Sequence, residues 1–509
     1  MYPGLHALRT PDKPAAIVAE TGEMISFGEL ESRSARFARW MSEHGLRRGD
    51  HIAVLSDNDL TVFELYWAAI RSGLYVTMVN CHLAPAEAAY IVNDCGAKVL
   101  VVSGALAELA EAIVDATSSV EARLAFGGPV HGYSDYERSM APVSDLPPVD
   151  QPRGSDMLYS SGTTGRPKGI KTPLPATQVD QPPGDPRVEL LRRNYAGDEN
   201  TVYLSPAPIY HAAPLRFSAA TQALGGTVVL MRKFEAETSL ALIEKYRITH
   251  SQWVPTHFVR LLKLSDEVRR AYDISSMKAA IHAAASCPIP VKQAMIDWWG
   301  EIIFEYYSST ESAGSTQITP AEWLRKPGSV GQSGPNSTGI VHICGPDGAE
   351  LGPNDIGTIY FERDDWAFEY HNDPEKTAAA RHPRHGNWST TGDIGYLDED
   401  GYLFLTDRSQ FVIISGGVNI YPQEIENCLS LHPGILDVAV IGTPDEEMGE
   451  TVTAIAQTVP GVAGDQELAA DIIAYCRERI AHYKCPRNVE FVPELPRTPT
   501  GKLIKSALT

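Results

Sequence analysis

Over the first hundred residues, short and almost continuously apolar runs alternate with amphipathic stretches. Residues 51–55, 74–79 and 98–102 read as buried strands, and residues 61–72 and 85–93 as helices. Strands that are apolar on both faces predict a sheet covered by helices on both sides. The strand–helix alternation predicts βαβ units and a largely parallel sheet. Strand-like runs return at 201–204, 227–230 and 302–304. Residues 171–200 break the pattern. They are polar and proline-rich, with Pro182-Pro183 among them, and predict a longer loop or lid, or a plain surface insertion. No internal repeat is visible, and the expected class is α/β.

Composition narrows the setting. At 509 residues the chain has room for two or more domains and a large core. With 43% hydrophobic and 21% charged residues it is ordinary for a globular protein. A net charge of −21 argues against nucleic acid or an anionic membrane as the main partner. Any polyphosphate site must therefore create its own local positive field. No apolar run reaches the length of a membrane span, so no integral membrane association is expected. Residues 1–14 lack the apolar core of a signal peptide. Seven scattered cysteines without a Cys-x-x-Cys pair fit free thiols in a reducing cytoplasm.

Candidate chemistry is concentrated in a few blocks. Residues 159–170, Tyr-Ser-Ser-Gly-Thr-Thr-Gly-Arg-Pro-Lys-Gly-Ile, bring hydroxyls, glycines and Lys168 into one loop. Glycine lets backbone approach a ligand closely, and consecutive N–H groups can form an anion-binding nest. Ser160, Ser161, Gly162, Thr163, Thr164, Gly165 and Lys168 thus make a candidate phosphate cradle. It is not a Walker loop, because Pro167 stands where the second glycine is needed. Residues 305–311, Glu-Tyr-Tyr-Ser-Ser-Thr-Glu, leave the end of the strand expected at 302–304, where open α/β sheets bind ligands. Tyr306 and Tyr307 offer aromatic faces for adenine, and Thr310 a hydroxyl for the α-phosphate. Glu311 offers a hard oxygen suited to Mg²⁺ shared with phosphate and water. Asp393, in Thr391-Gly392-Asp393, can accept two hydrogen bonds, which suits the paired hydroxyls of ribose.

These blocks, followed by Asp407-Arg408 and Pro499-Thr500-Gly501-Lys502, resemble in order and spread the signature set of the AMP-forming adenylate synthetases. That family includes acyl- and aryl-CoA ligases, luciferases and peptide-synthetase adenylation domains. One departure is Ser308, which stands at a usual glycine position. The resemblance implies a large N-terminal domain of parallel-type sheets covered by helices, residues 1–407, and a small mobile α+β domain, residues 408–509. It implies that Lys502, Thr310 and Glu311 are catalytic and that Glu311 is the metal ligand. Adenine and ribose would be bound by Ala284, Ala285, Tyr306, Tyr307, Asp393 and Arg408. The acid pocket would be lined by Tyr210, His211, Ala212, Trp253, His282 and Ala283. Ser415, Gly416, Gly417 and Lys484 would border the CoA channel. Gln410 would take the hinge position, where the family commonly has Lys or Asp.

The implied reaction runs in two halves: acid and ATP give acyl-adenylate and pyrophosphate, then CoA displaces AMP to give the thioester. The expected partners are ATP, Mg²⁺, CoA and a small carboxylic acid, and a homodimer is left open. The pocket stretches are apolar or small and contain no obvious cation for a second carboxylate. An apolar monocarboxylic acid is therefore expected, and the chain's resemblance to bacterial ligases for fatty, steroid-side-chain or aryl-alkanoic acids implies one of those kinds. Two alternatives stand beside this reading: an adenylation enzyme that loads a carrier protein, and a catalytically silent nucleotide-binding homologue.

Overall fold

The computed structural model describes residues 2–508 apart from 161–166, 183, 409–410, 417, 446–447 and 498–502; for Asp407, Arg408, Asn419 and Ser506 it describes the backbone alone. The chain packs into two compact units, one of residues 1–252, 272–279 and 367–378, the other of 253–271, 280–366 and 379–509.

In the first unit the apolar runs form a six-stranded sheet. Its order is Ser134–Asp135, Ala122–Phe126, Ala97–Ser103, His51–Leu55, Tyr75–Val79 and Ser155–Asp156, and every neighbouring pair is parallel. His51–Leu55 and Tyr75–Val79 are buried at every position, as expected for strands covered on both faces. The intervening helices are Thr61–Ile70 and Pro85–Asp94, the latter with proline in its first turn. Val202–Ser205, Thr227–Leu230 and Pro14–Val18 add another parallel run, closed by the antiparallel strand Met24–Ser26. Ser26 then caps the helix Phe27–Glu43 through a reciprocal capping box with Glu29.

Residues 171–200 are a loop only in part: the described residues of 172–185 carry no helix and no strand. The segment then forms the helix Pro186–Tyr195, which buries Val188, Leu191 and Tyr195. Asp185 caps it by accepting from the Arg187 N–H, and the Arg187 side chain ties the helix to the sheet. Its guanidinium reaches Asp185 at 2.9 Å and the buried Asp156, at the end of a parallel strand, at 3.0 Å. Arg216, on the helix Ala212–Leu224, takes the other Asp156 oxygen at 2.9 and 2.5 Å. Burial alone would raise the Asp156 carboxyl, but Arg216 and then Arg187 hold it well below the usual carboxylate range.

In the second unit, His282 of the strand Ala279–His282 pairs in parallel with Glu305 of Ile303–Ser308. Ile303–Ser308 pairs antiparallel with Ser315–Ile318. This antiparallel partner carries the strand through Ser308, so Tyr306 and Tyr307 lie in the ladder and not in the loop beyond it. A mixed region of antiparallel strands follows, Ile340–Cys344, Gly357–Glu362, Asp393–Leu397 and Leu403–Arg408 in order, with Trp388–Ser389 beside Gly357–Glu362. From Ile413 onward the chain builds a sheet of its own, in the order Val418–Ile420, Ile413–Ser415, Gly449–Thr458 and Ile435–Asp445. Asn488–Phe491 pairs with Gly449–Thr458. Ile413, Ile425, Leu429, Val440, Val452 and Ile472 form part of its core, drawing on the helices Pro422–Leu429 and Gln466–Arg477. The boundary expected at 407/408 falls inside this second unit, within the strand Leu403–Arg408 and ahead of the last sheet.

Candidate active site

In the first unit, the two ends of the phosphate-type loop face each other across a hairpin. Leu158–Ser160 and Lys168–Lys171 are antiparallel, with Ser160 opposite Lys168. Gly169 is required here: a Cβ would come within 2.9 Å of the Tyr159 ring. The Lys168 ammonium stands 5.3 Å from the centre of the Tyr370 ring. Ser161, Gly162, Thr163, Thr164 and Gly165 lie outside the described residues.

Tyr210 and His211 end the segment that leads into the helix Ala212–Leu224, and Ala212 is that helix's first residue. Asn58 straps the segment by accepting from the Ile209 N–H at 2.8 Å and donating to Ala207 O and Met231 O. The Tyr210 ring lies 4.6 Å from His211, and its buried hydroxyl has no hydrogen-bond partner among the described residues. Burial pushes that hydroxyl's pKa up.

In the second unit, the Ala283 N–H donates to Trp253 O at 3.3 Å. Trp253 is fully buried, its ring edge-on to Trp299 at 5.6 Å and to His257 at 5.9 Å. His282 is equally buried, edge-on to Phe258 at 5.4 Å, with its Nε2 3.4 Å from Glu305 Oε2. Both side chains are therefore packed among core aromatics. The turn that follows is different: Ala284 and Ala285 are exposed, and Ala284 has φ of 75°, a left-handed conformation costly for any residue with a Cβ.

Tyr307 donates from its hydroxyl to Asp393 Oδ2 at 2.7 Å, and Thr391 Oγ1 donates to the same oxygen at 3.1 Å. Asp393 stands directly opposite Arg408 on adjacent antiparallel strands. Three candidates, from positions 307, 393 and 408, are thus brought to one place. Thr310 and Glu311 occupy the turn after Ile303–Ser308; Thr310 is half-buried and Glu311 is buried. The next residue, Ser312, also takes a left-handed conformation, with φ of 53°.

In the last sheet, Ser415 is buried, and Gly416 turns with φ of 57° while its N–H donates to Met448 O at 2.8 Å. Lys484 is held by both oxygens of Glu424 at 2.7 Å. Gln410, Gly417 and Lys502 lie outside the described residues. No cluster of three or more His, Cys, Asp or Glu able to hold a metal by itself occurs among the described residues.

Sequence reasoning missed Lys292 and Glu305. Lys292 lies on the helix Ile289–Trp299, fully buried, with its Nζ 2.6 Å from Glu305 Oε2 and 4.9 Å from the centre of the Trp323 ring. Burial pushes the Glu305 carboxyl up against the pull of Lys292. Burial, with Lys292 adding to it, holds His282 well below its ordinary value, so its ring is neutral. A signal was present in the sequence: Lys292 shares a helix face with Met295, Ile296 and Trp299, all buried.

Comparison with known proteins fits this arrangement. Residues 5–371 match the family described as AMP-binding enzyme, and residues 424–502 match the AMP-binding enzyme C-terminal domain. The chain is 29% identical to a long-chain-fatty-acid–CoA ligase of Mycobacterium tuberculosis, covering 98% of this chain and 95% of that one. It is 31% identical to an indoleacetate–CoA ligase of Aromatoleum aromaticum, covering 99% and 94%. Among solved structures, ATP-bound MatB from Rhodopseudomonas palustris has a TM-score of 0.80 and 28% identity, covering 100% of this chain and 98% of that one. The chain belongs to the AMP-binding enzyme family, and it is an adenylate-forming acid–thiol ligase.

Proposed function

We propose that this ligase couples an apolar monocarboxylic acid of the fatty, steroid-side-chain or aryl-alkanoic kind to CoA. The observation that carries the reading is the Tyr307–Asp393 hydrogen bond opposite Arg408, on the strand that runs on to Thr310 and Glu311. In this reading Asp393 and Arg408 bind the ribose, Tyr306, Tyr307, Ala284 and Ala285 border the adenine, and Thr310 meets the α-phosphate. The 160–168 segment takes the outer phosphates. Lys502 offsets charge as the carboxylate attacks the α-phosphate, a contribution made where the transition state gathers charge. Residues from 408 onward act as the reorienting domain, with Gln410 as its pivot and Ser415, Gly416, Gly417 and Lys484 toward CoA.

Magnesium fits the residues present. A buried carboxylate, Glu311, with no cluster of three or more metal-ligating side chains among the described residues, is the donor set expected for Mg²⁺ that shares phosphate oxygens and water. Bound there, the ion would neutralise phosphate charge. The acid's class is supported by the long-chain and indoleacetate specificities named for two relatives. It is supported also by Arg216, the arginine just beyond Tyr210, His211 and Ala212. Its guanidinium is committed to Asp156, which argues against a second carboxylate on the substrate. No helix among the described residues is long and apolar enough to cross a membrane. The scattered free thiols support a cytoplasmic setting.

A panel of acids scored by CoA-dependent AMP release tests the assignment. Fatty or aryl-alkanoic acids should turn over fastest, and faster turnover of an amino acid or a dicarboxylate overturns it. Lys502→Ala should lose acyl-adenylate formation yet convert pre-made acyl-adenylate and CoA to thioester at a near-normal rate.

A further inference from the structure

The buried Lys292–Glu305 pair has no place in the reaction just described. Replacing such a pair by well-packed neutral groups is commonly neutral or stabilising, because taking two charges out of water costs as much as their attraction returns. Its position is informative. The turn 283–288 begins immediately after His282, whose Nε2 is 3.4 Å from Glu305 Oε2. It ends at the helix Ile289–Trp299, which carries Lys292, 2.6 Å from the same oxygen. Cys287, near the far end of the turn, also feels both charges: burial and then Glu305 push its thiol up, while Lys292 lowers it. One carboxylate oxygen therefore lies against the elements at both ends of the turn. Within the turn, Ala284 holds a left-handed conformation that only a strong constraint maintains on a residue with a Cβ. Neither nitrogen of His282 has a hydrogen-bond partner among the described residues, so the cluster is not a fully satisfied structural network.

We propose that Lys292 and Glu305, with His282, form a buried clamp that holds the turn 283–288 in the strained conformation in which it meets the nucleotide. This rests on the reading that Ala284 and Ala285 border the adenine. Lys292 and Glu305 are positioning residues: they touch no reactant and act through the backbone of the turn.

The test uses the full-length enzyme and AMP binding by calorimetry, with KM for ATP, KM for the acid and melting temperature measured alongside. In Lys292→Met/Glu305→Gln both charges are gone and shape is nearly kept. Melting temperature should hold or rise, while AMP affinity falls and KM for ATP rises by about tenfold, a fraction of the roughly hundredfold that a misplacement of about 1 Å can cost. KM for the acid should change much less. Adding Ala284→Gly, which removes the strain the clamp maintains, should recover much of the lost AMP affinity. If the double variant does not fold, Lys292→Met/Glu305→Leu, which also removes both charges, is read the same way. Ala285→Leu serves as the control on the adenine reading. Lost AMP affinity there with unchanged affinity in Lys292→Met/Glu305→Gln overturns the clamp alone. Unchanged affinity in Ala285→Leu overturns the adenine reading and the clamp with it. A loss that tracks a lower melting temperature and is not reversed by Ala284→Gly also overturns the clamp.

Discussion

Each unit of this protein buries a carboxylate beside cations, and the two are built differently. Asp156 has each oxygen taken by a different arginine, and one of those arginines is held again by Asp185. Glu305 has its lysine and a neutral histidine crowding one oxygen, with the histidine left without a hydrogen bond among the described residues. Burial wins at Glu305, whose carboxyl is pushed up, and loses at Asp156, whose carboxyl is held down. The satisfied cluster fastens the helix Pro186–Tyr195 to the sheet and serves the fold. The under-satisfied one sits beneath a strained turn, where a device that favours position over stability is expected.

The largest effect that separates the two should come from Asp156→Ala. It leaves the part-buried Arg187 and Arg216 without their shared acceptor, Arg187 keeping Asp185, and should cost about 3 kcal/mol in denaturant unfolding, the low end of the range seen when one partner of a buried pair is removed. Lys292→Met/Glu305→Gln should cost almost nothing in the same experiment. An equal loss in both would erase the distinction.

The pH dependence should differ in sign. Asp156 is depressed in the folded state, so its contribution is present above the unfolded carboxylate value of about 3.9 and is lost as pH falls through its lower folded value. Glu305 is raised, so its burial penalises the fold above its raised value and the penalty is relieved as pH falls through it. Unfolding free energy followed from pH 7 into acid should therefore converge between wild type and Asp156→Asn. Glu305→Gln should instead be relatively more stable at neutral pH than in acid. Parallel curves for all three proteins would contradict both assignments.

A smaller effect should follow from Tyr307→Phe. Losing its hydrogen bond to Asp393 should cost about 1 kcal/mol of stability, and KM for ATP should rise several-fold with KM for the acid nearly unchanged. An acid-side effect would move Tyr307 out of the nucleotide site.

Where a segment's fate depends on its own pattern, it could be read from the sequence. The run at 51–55 and the amphipathic stretches at 61–72 and 85–93 became the strand His51–Leu55 and the helices Thr61–Ile70 and Pro85–Asp94. Tyr421-Pro422 likewise begins a helix as its proline suggests. Where distant residues decide, local pattern failed. The helix Pro186–Tyr195 was hidden in a polar, proline-rich stretch because Asp156 and packing against the body of the unit hold it. The strand ending at Ser308 outran its apolar core because residues 315–318 pair with it. Asp393 and Tyr307 were each readable as candidates, but their direct hydrogen bond across 86 positions was not. Lys292 left a trace, a cation on an apolar helix face, but its partner is set by how that helix meets the strand.

In the reaction proposed for this ligase the carboxylate itself attacks the α-phosphate. The most direct test is turnover of a preferred acid carrying ¹⁸O in both carboxylate oxygens, with mass analysis of the nucleotide released in the presence of CoA. The released AMP should bear one labelled oxygen, with unlabelled pyrophosphate and a thioester as the other products. Release of ADP with label in inorganic phosphate, or AMP without label, would contradict it.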